Sequence, residues 1–183
     1  MMELERKFCA GGTEGAGPLE IGEGAVISGY ASLFGRPDQG GDVVEPGAYA
    51  ASLKRLMGAG GRVRMLWQHD PARPIGVWDE VREDGTGLWV KGRILTEVAQ
   101  GREAAALVAA GAIDGLSIGY RTRRARKDGA GRRLDELELW EVSLVTFPML
   151  REARVSAKHE DALAAKVRAA RCLLRGEGGE RDA

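Results

Sequence analysis

Glycine, proline and aspartate cut this chain into short lengths, and that punctuation limits the fold more than any other feature. Turn-forming clusters stand at Gly35-Arg36-Pro37-Asp38-Gln39-Gly40-Gly41-Asp42, at Gly58-Ala59-Gly60-Gly61 and at Glu83-Asp84-Gly85-Thr86-Gly87. Glycine tolerates positive φ, proline presets φ, and aspartate bonds its own backbone, so each cluster reverses or stops an element. Strand-like runs lie between them at residues 25–34, 63–69, 76–81, 88–94, 113–121 and 134–146, the last halted by Pro148. Residues 1–9 read as a first short strand, 10–17 as a glycine-rich loop, 71–77 as a turn and the basic stretch 123–133 as an exposed turn. Helical spacing of Tyr49, Leu53 and Leu56 predicts a helix over 48–57, and alanine-rich residues 97–110 predict a second. A third, over 157–174, carries Leu163, Val167, Cys172 and Leu173.

Strands and helices do not alternate regularly, which argues against a parallel α/β layout. The expectation is an α+β fold: a mostly antiparallel β-barrel or rolled sheet with helices around it and one C-terminal helix. Residues 1–156 form the barrel domain in this reading, and 157–183 the terminal helix and a polar tail. The 183 residues suit one domain plus tails, and 44% hydrophobic residues suffice for a core. Lys plus Arg and Asp plus Glu are 27 each, so no basic surplus points to nucleic acid. No apolar run approaches the roughly 18 residues of a membrane span. The charged start, residues 1–7, lacks the apolar centre of a signal peptide. Cys9 and Cys172 have no metal or redox spacing, and a reducing, cytoplasmic setting is expected.

Chemistry that needs imidazole has only His69 and His159 to draw on. Along 63–69, side chains alternate faces, so Val63, Met65, Trp67 and His69 share one, and His69 ends an apolar face beside a proline turn. A hydrogen-bonded core histidine is one account of it; Asp70, on the other face, reads as a turn residue. Along 134–146, Leu137, Leu139, Glu141, Ser143 and Val145 share a face opposite Glu136, Glu138, Trp140 and Val142. Glu141 is then a carboxylate on the apolar side and needs a partner. An arginine of the basic turn or a histidine ring nitrogen would serve. Ser117 lies in Gly115-Leu116-Ser117-Ile118-Gly119-Tyr120, a glycine-flanked strand that lacks both the helix of a nucleophile elbow and the lysine of a phosphate loop. A serine becomes a nucleophile when a base accepts its proton and a third group fixes that base. His69, Ser117 and Glu141 supply these three types, in a chain order unlike that of chymotrypsin, subtilisin or the α/β-hydrolases. The flanking glycines would leave room for a substrate backbone to approach the serine.

Six blocks resemble the prohead (capsid maturation) proteases of HK97-like tailed phages. They are Gly29-Tyr30-Ala31-Ser32-Leu33-Phe34, Asp42-Val43-Val44-Glu45-Pro46-Gly47-Ala48-Tyr49, Leu66-Trp67-Gln68-His69-Asp70, Pro74-Ile75-Gly76, residues 115–120, and Glu141-Val142-Ser143-Leu144-Val145-Thr146-Phe147-Pro148. They span residues 25–156 in the family's order and spacing. That family is similar in fold to the herpesvirus assemblins, β-barrel serine proteases with surrounding helices. The resemblance implies a serine endopeptidase with Ser117 as nucleophile, His69 as general base and Glu141 as third member, needing no metal or cofactor. It implies cleavage of the scaffolding segment of the major capsid protein precursor inside assembling proheads, self-processing, and a homo-oligomer, with neither membrane nor nucleic acid as partner. After Pro148 many relatives carry Ala-Asn where this chain has Met149-Leu150, so a contribution of Arg151 or Arg154 backbone to an oxyanion hole stays open. The alternatives are an inactive head-assembly scaffold module on the same barrel, a nucleic-acid-binding barrel using Arg121, Arg123, Arg124, Arg126 and Lys127, and a metal held by His69 and Glu141.

Overall fold

The computed structural model describes residues 5–6, 20–22, 25–150 and 152–154. Among these, in chain order, are β1 (Glu5–Arg6), β2 (Glu20–Gly22), β3 (Val26–Leu33), β4 (Val43–Val44), α1 (Ala50–Gly58), β5 (Arg64–Trp67), β6 (Asp70–Glu83), β7 (Gly87–Ile94), α2 (Ala99–Ala109), β8 (Gly115–Asp128) and β9 (Gly131–Val145). The strands make one nine-stranded sheet in the order β1-β8-β9-β5-β6-β7-β3-β2, with β4 added against β9. Most neighbours are antiparallel, but β4 and β5 both run parallel to β9, so the sheet is mixed. It curls until β3 lies against β8 without pairing to it, a half-barrel carrying two helices. The α+β expectation holds at this level. The helix expected over 157–174, and with it the proposed boundary at 156, lies outside the described residues.

Alternation builds the wall. Leu88, Val90 and Ile94 of β7 are buried while Lys91 and Arg93 between them face solvent, the period-2 pattern of a sheet with one dry face. Ile27, Ala31 and Leu33 of β3, Met65 of β5, Ile75 and Trp78 of β6, Leu116, Ile118 and Tyr120 of β8, and Leu137, Leu139, Val142 and Leu144 of β9 complete the core. Helix α1 begins two residues later than its apolar spacing predicts, because Tyr49 caps it rather than joining it. The Glu83 carboxylate accepts from the backbone N–H groups of Gly47 and Tyr49, the latter at 3.0 Å, at the end where unpaired donors and the helix dipole favour an anion.

Three local expectations are corrected. Residues 71–77 do not turn the chain: β6 runs through them, and pairing with β5 passes from Trp67↔Asp70 to Leu66↔Pro74. Pro71, Ala72 and Arg73 are thus extruded as an exposed bulge, which is where a sheet accommodates a residue without an N–H. The basic stretch 123–133 is not a turn either. It forms the outer half of a long β8–β9 hairpin whose reversal occupies only Gly129 and Ala130. Arginines there pair with acids: Arg123 with Glu138 at 2.5 Å, and Arg126 with Asp135 at 2.8 Å, across the strands. Finally, β5 stops at Trp67, so strand alternation does not reach His69.

Candidate active site

Two residues connect β5 to β6, Gln68 and His69, with φ of 52° and 61°. Positive φ at both central residues matches the twist of a tight hairpin, although side chains other than glycine pay for it. The turn carries His69 off the strand, and its ring orientation follows from the turn rather than from a shared face with Met65. Gln68 holds the turn onto β9: its N–H donates to the Leu144 carbonyl at 2.9 Å and its side-chain amide to Thr146 Oγ1 at 2.8 Å.

Glu141 also reaches the site by a route other than simple alternation. In the β8–β9 ladder Gly119 opposes Glu141, and the next residue, Tyr120, opposes Leu139, leaving Trp140 without a counterpart. Trp140 is therefore a bulge, and it is 46% exposed. The extra residue moves everything after it to the other face. Leu137 and Leu139 point into the core with Tyr120, whereas Glu141 and Ser143 share the opposite face with Gly119 and Ser117. The expectation that Glu141 shares a face with Leu137 and Leu139 is thereby corrected.

Ser117, His69 and Glu141 are brought together, each less than a tenth exposed. His69 Nδ1 lies 2.6 Å from Glu141 Oε1, and His69 Nε2 lies 2.8 Å from Ser117 Oγ. A carboxylate offers only acceptors, so the ring proton sits on Nδ1 and Nε2 is left to accept from the serine hydroxyl. Ser143, fully buried, donates from Oγ to Glu141 Oε2 at 2.5 Å and accepts from the His69 backbone N–H at 3.2 Å. The arginine considered as a partner for Glu141 is not used: its two oxygens meet His69 and Ser143.

Both flanking glycines make room for protein rather than for a substrate backbone. A Cβ at Gly119 would lie 2.0 Å from Glu141 Oε1, and one at Gly115 would lie 2.6 Å from the Val145 carbonyl oxygen and 2.7 Å from the Pro148 ring. Gly119 is thus a site residue that the sequence reading assigned to another purpose. Ser143 was placed on the right strand without a role. The signal for both was present, since Glu-x-Ser on one strand and Ser-x-Gly on its neighbour put four positions on one face.

Ser117 lines a narrow cleft where β3 passes β8, together with Ala31, Ser32, Arg36, Leu116, Met149 and Leu150 among others. The chain after Pro148 folds onto the start of β8: the Leu116 N–H donates to the Ala153 carbonyl at 2.8 Å, and Arg154 bridges Gly115. The Arg154 backbone N–H donates to the Glu152 carbonyl at 2.9 Å and its guanidinium pairs with Asp114; Arg151 lies outside the described residues. Asp70, expected as a turn residue, instead opens β6 opposite Trp67 and braces the bulge after it, accepting from the Ala72 N–H at 2.9 Å and pairing with Arg73. Among the described residues no three His, Cys, Asp or Glu side chains gather as a metal-binding set.

A hydroxyl on an imidazole on a carboxylate, at the open edge of a half-barrel, is the constellation that serine hydrolases use. Comparison with known proteins is specific about the lineage. The family model described as caudovirus prohead serine protease matches residues 18–167, and the chain belongs to that family. It is 30% identical over 161 residues to the prohead protease of Enterobacteria phage HK97, covering 85% of this chain and 65% of that protein. The chain thus spans just under two thirds of that relative's length. Among solved structures it resembles the bacteriophage T4 capsid assembly protease, with a TM-score of 0.59 over 78% of this chain and 95% of that one. At 14% identity that likeness concerns the fold.

Proposed function

We propose that the protein is a serine endopeptidase that cleaves the major capsid protein precursor at its scaffolding segment, and its own termini, inside assembling proheads in the bacterial cytoplasm. The observation that carries this reading is the continuous chain from Ser117 Oγ through His69 to Glu141, at 2.8 and 2.6 Å. With substrate in the cleft, Ser117 Oγ attacks the scissile carbonyl carbon while its proton passes to His69 Nε2. Glu141 keeps the other ring proton on Nδ1 and stabilises the imidazolium. His69 then returns its proton to the leaving amine, which departs and leaves an acyl ester on Ser117. Water, deprotonated by the same nitrogen, hydrolyses that ester and restores the serine. Each step is a proton and acyl transfer among groups already in reach, and none calls for a metal or cofactor. Family membership supports the assignment to capsid maturation and to the precursor as partner.

Co-expression with the capsid precursor from the same genome is the test. The wild-type chain is expected to give a capsid protein shortened at its N-terminus, and Ser117→Ala one of full length. Equal cleavage by both would overturn the mechanism. Assembly of heads by both without any shortening would favour the inactive scaffold module.

A further inference from the structure

We propose that Ser143 is a fourth, positioning member of this site, which locks the base and the acid to each other; the inference rests on the reading of Ser117, His69 and Glu141 as catalytic. A hydroxyl has one proton and two lone pairs. The Ser143 proton goes to Glu141 Oε2 at 2.5 Å, and a lone pair receives the His69 backbone N–H at 3.2 Å. Together with the 2.6 Å contact from His69 Nδ1 to Glu141 Oε1, this closes a ring: imidazole, carboxylate, hydroxyl, and the backbone of the same histidine.

Each contact of the ring answers a specific need. The carboxylate of Glu141 could rotate about its last torsion, but bonds at both oxygens leave one orientation that serves His69. His69 occupies a positive-φ turn, a conformation that persists only where its surroundings over-determine it. The Ser143 hydroxyl meets the one backbone donor of that residue. Ser143 also stands directly across the ladder from Ser117, so the strand that carries the nucleophile and the residue that sets the base share one register. At 0% exposure, with both its oxygen contacts inside the site, Ser143 has no solvent partner to substitute for either. Ser143 touches neither the reacting atoms nor the cleft, and its effect is exerted through His69 and Glu141.

Labelling of the full-length chain by diisopropyl fluorophosphate tests this, because the probe needs an activated Ser117 and no knowledge of the natural substrate. Three quantities are read: the limiting rate of inactivation, the probe concentration at half that rate, and the final stoichiometry of adduct. Ser143→Ala is expected to reach the wild-type stoichiometry and half-saturating concentration, with a limiting rate lower by roughly 10- to 100-fold, the equivalent of a lost charge-assisted hydrogen bond. Ser143→Cys keeps the volume but donates weakly and should fall between the two; it carries the test if the alanine variant does not fold. A wild-type limiting rate in the folded variant would overturn the proposal. So would a reduced stoichiometry with an unchanged rate, which would make Ser143 a residue of folding alone. Absence of labelling at Ser117 in the wild-type chain would instead overturn the underlying reading of the site.

Discussion

Gly119 and Glu141 illustrate how closely the site is packed. Because a Cβ at Gly119 would sit 2.0 Å from Glu141 Oε1, Gly119→Ala must displace the carboxylate by something near 1 Å. Misplacement on that scale costs on the order of 100-fold in rate, and kcat measured on a capsid precursor peptide should fall by that amount while the folded state survives. Glu141→Gln preserves shape and inverts the logic of protons. An amide NH₂ facing Nδ1 would push the ring proton to Nε2, where it blocks transfer from Ser117. The expected loss is roughly 10³- to 10⁴-fold in kcat, with thermal stability changed far less. An activity of Glu141→Gln within tenfold of wild type would remove Glu141 from the role assigned to it.

At the scale of elements, the site depends on irregularities more than on regular structure. The Trp140 bulge decides which face Glu141 takes. Trp140→Ala should be tolerated, at a cost under about 1 kcal/mol for a side chain that is nearly half in solvent, whereas deleting Trp140 restores strict alternation. The deletion would drive either Glu141 into the core or Leu137 and Leu139 out of it, and soluble folded protein should be lost; circular dichroism of the two variants separates the outcomes. The β6–β7 turn gives a pH-dependent case. Partial burial alone would raise the Asp84 carboxyl, but hydrogen bonds from Thr86 and Gly87 N–H, the Tyr30 hydroxyl and Arg82 outweigh it and hold the group below its ordinary range. A depressed folded value stabilises the protein above the unfolded value of about 3.9 and is lost as pH falls through the folded one. Asp84→Asn should therefore lower Tm at pH 7 and make a smaller difference near pH 2.5.

These same irregularities set the limit on what a sequence reader sees. Ser117, His69 and Glu141 are legible as candidates by residue type, by neighbourhood, and by the order of six family blocks. Their faces are not, because alternation fails where a two-residue turn or a single bulged residue intervenes. His69 leaves its strand at Trp67, and Glu141 changes face at Trp140. The proline pair at 71 and 74 signals a break in pairing, and a bulge inside β6 satisfies it as well as a turn. The basic stretch reads as a loop until the acids opposite it are known, and that pairing belongs to the register of two strands rather than to either one.

Over the whole molecule, the half-barrel acts as a frame that joins distant parts of the chain. His69 arrives from the β5–β6 turn, Ser117 from β8 and Glu141 from β9, and the parallel pairing of β5 with β9 is what places the turn over the β8–β9 ladder. Leu66 opposes Ser143 and Ser143 opposes Ser117, so one row across three strands supports the site. Core substitutions in the adjoining row, Trp67–Leu144–Leu116, should reduce activity and stability together. Leu144→Ala, at a fully buried position on the central strand of the three, should cost about 2–5 kcal/mol in chemical denaturation.

The central claim is that Ser117 is a nucleophile activated by His69. It is tested most directly by treating the full chain with diisopropyl fluorophosphate and mapping the adduct by peptide mass spectrometry. A single phosphoryl group on Ser117, absent from Ser117→Ala and slowed by at least 100-fold in His69→Ala, is the result expected. An adduct on another residue, or equal labelling of Ser117 with and without His69, would contradict it.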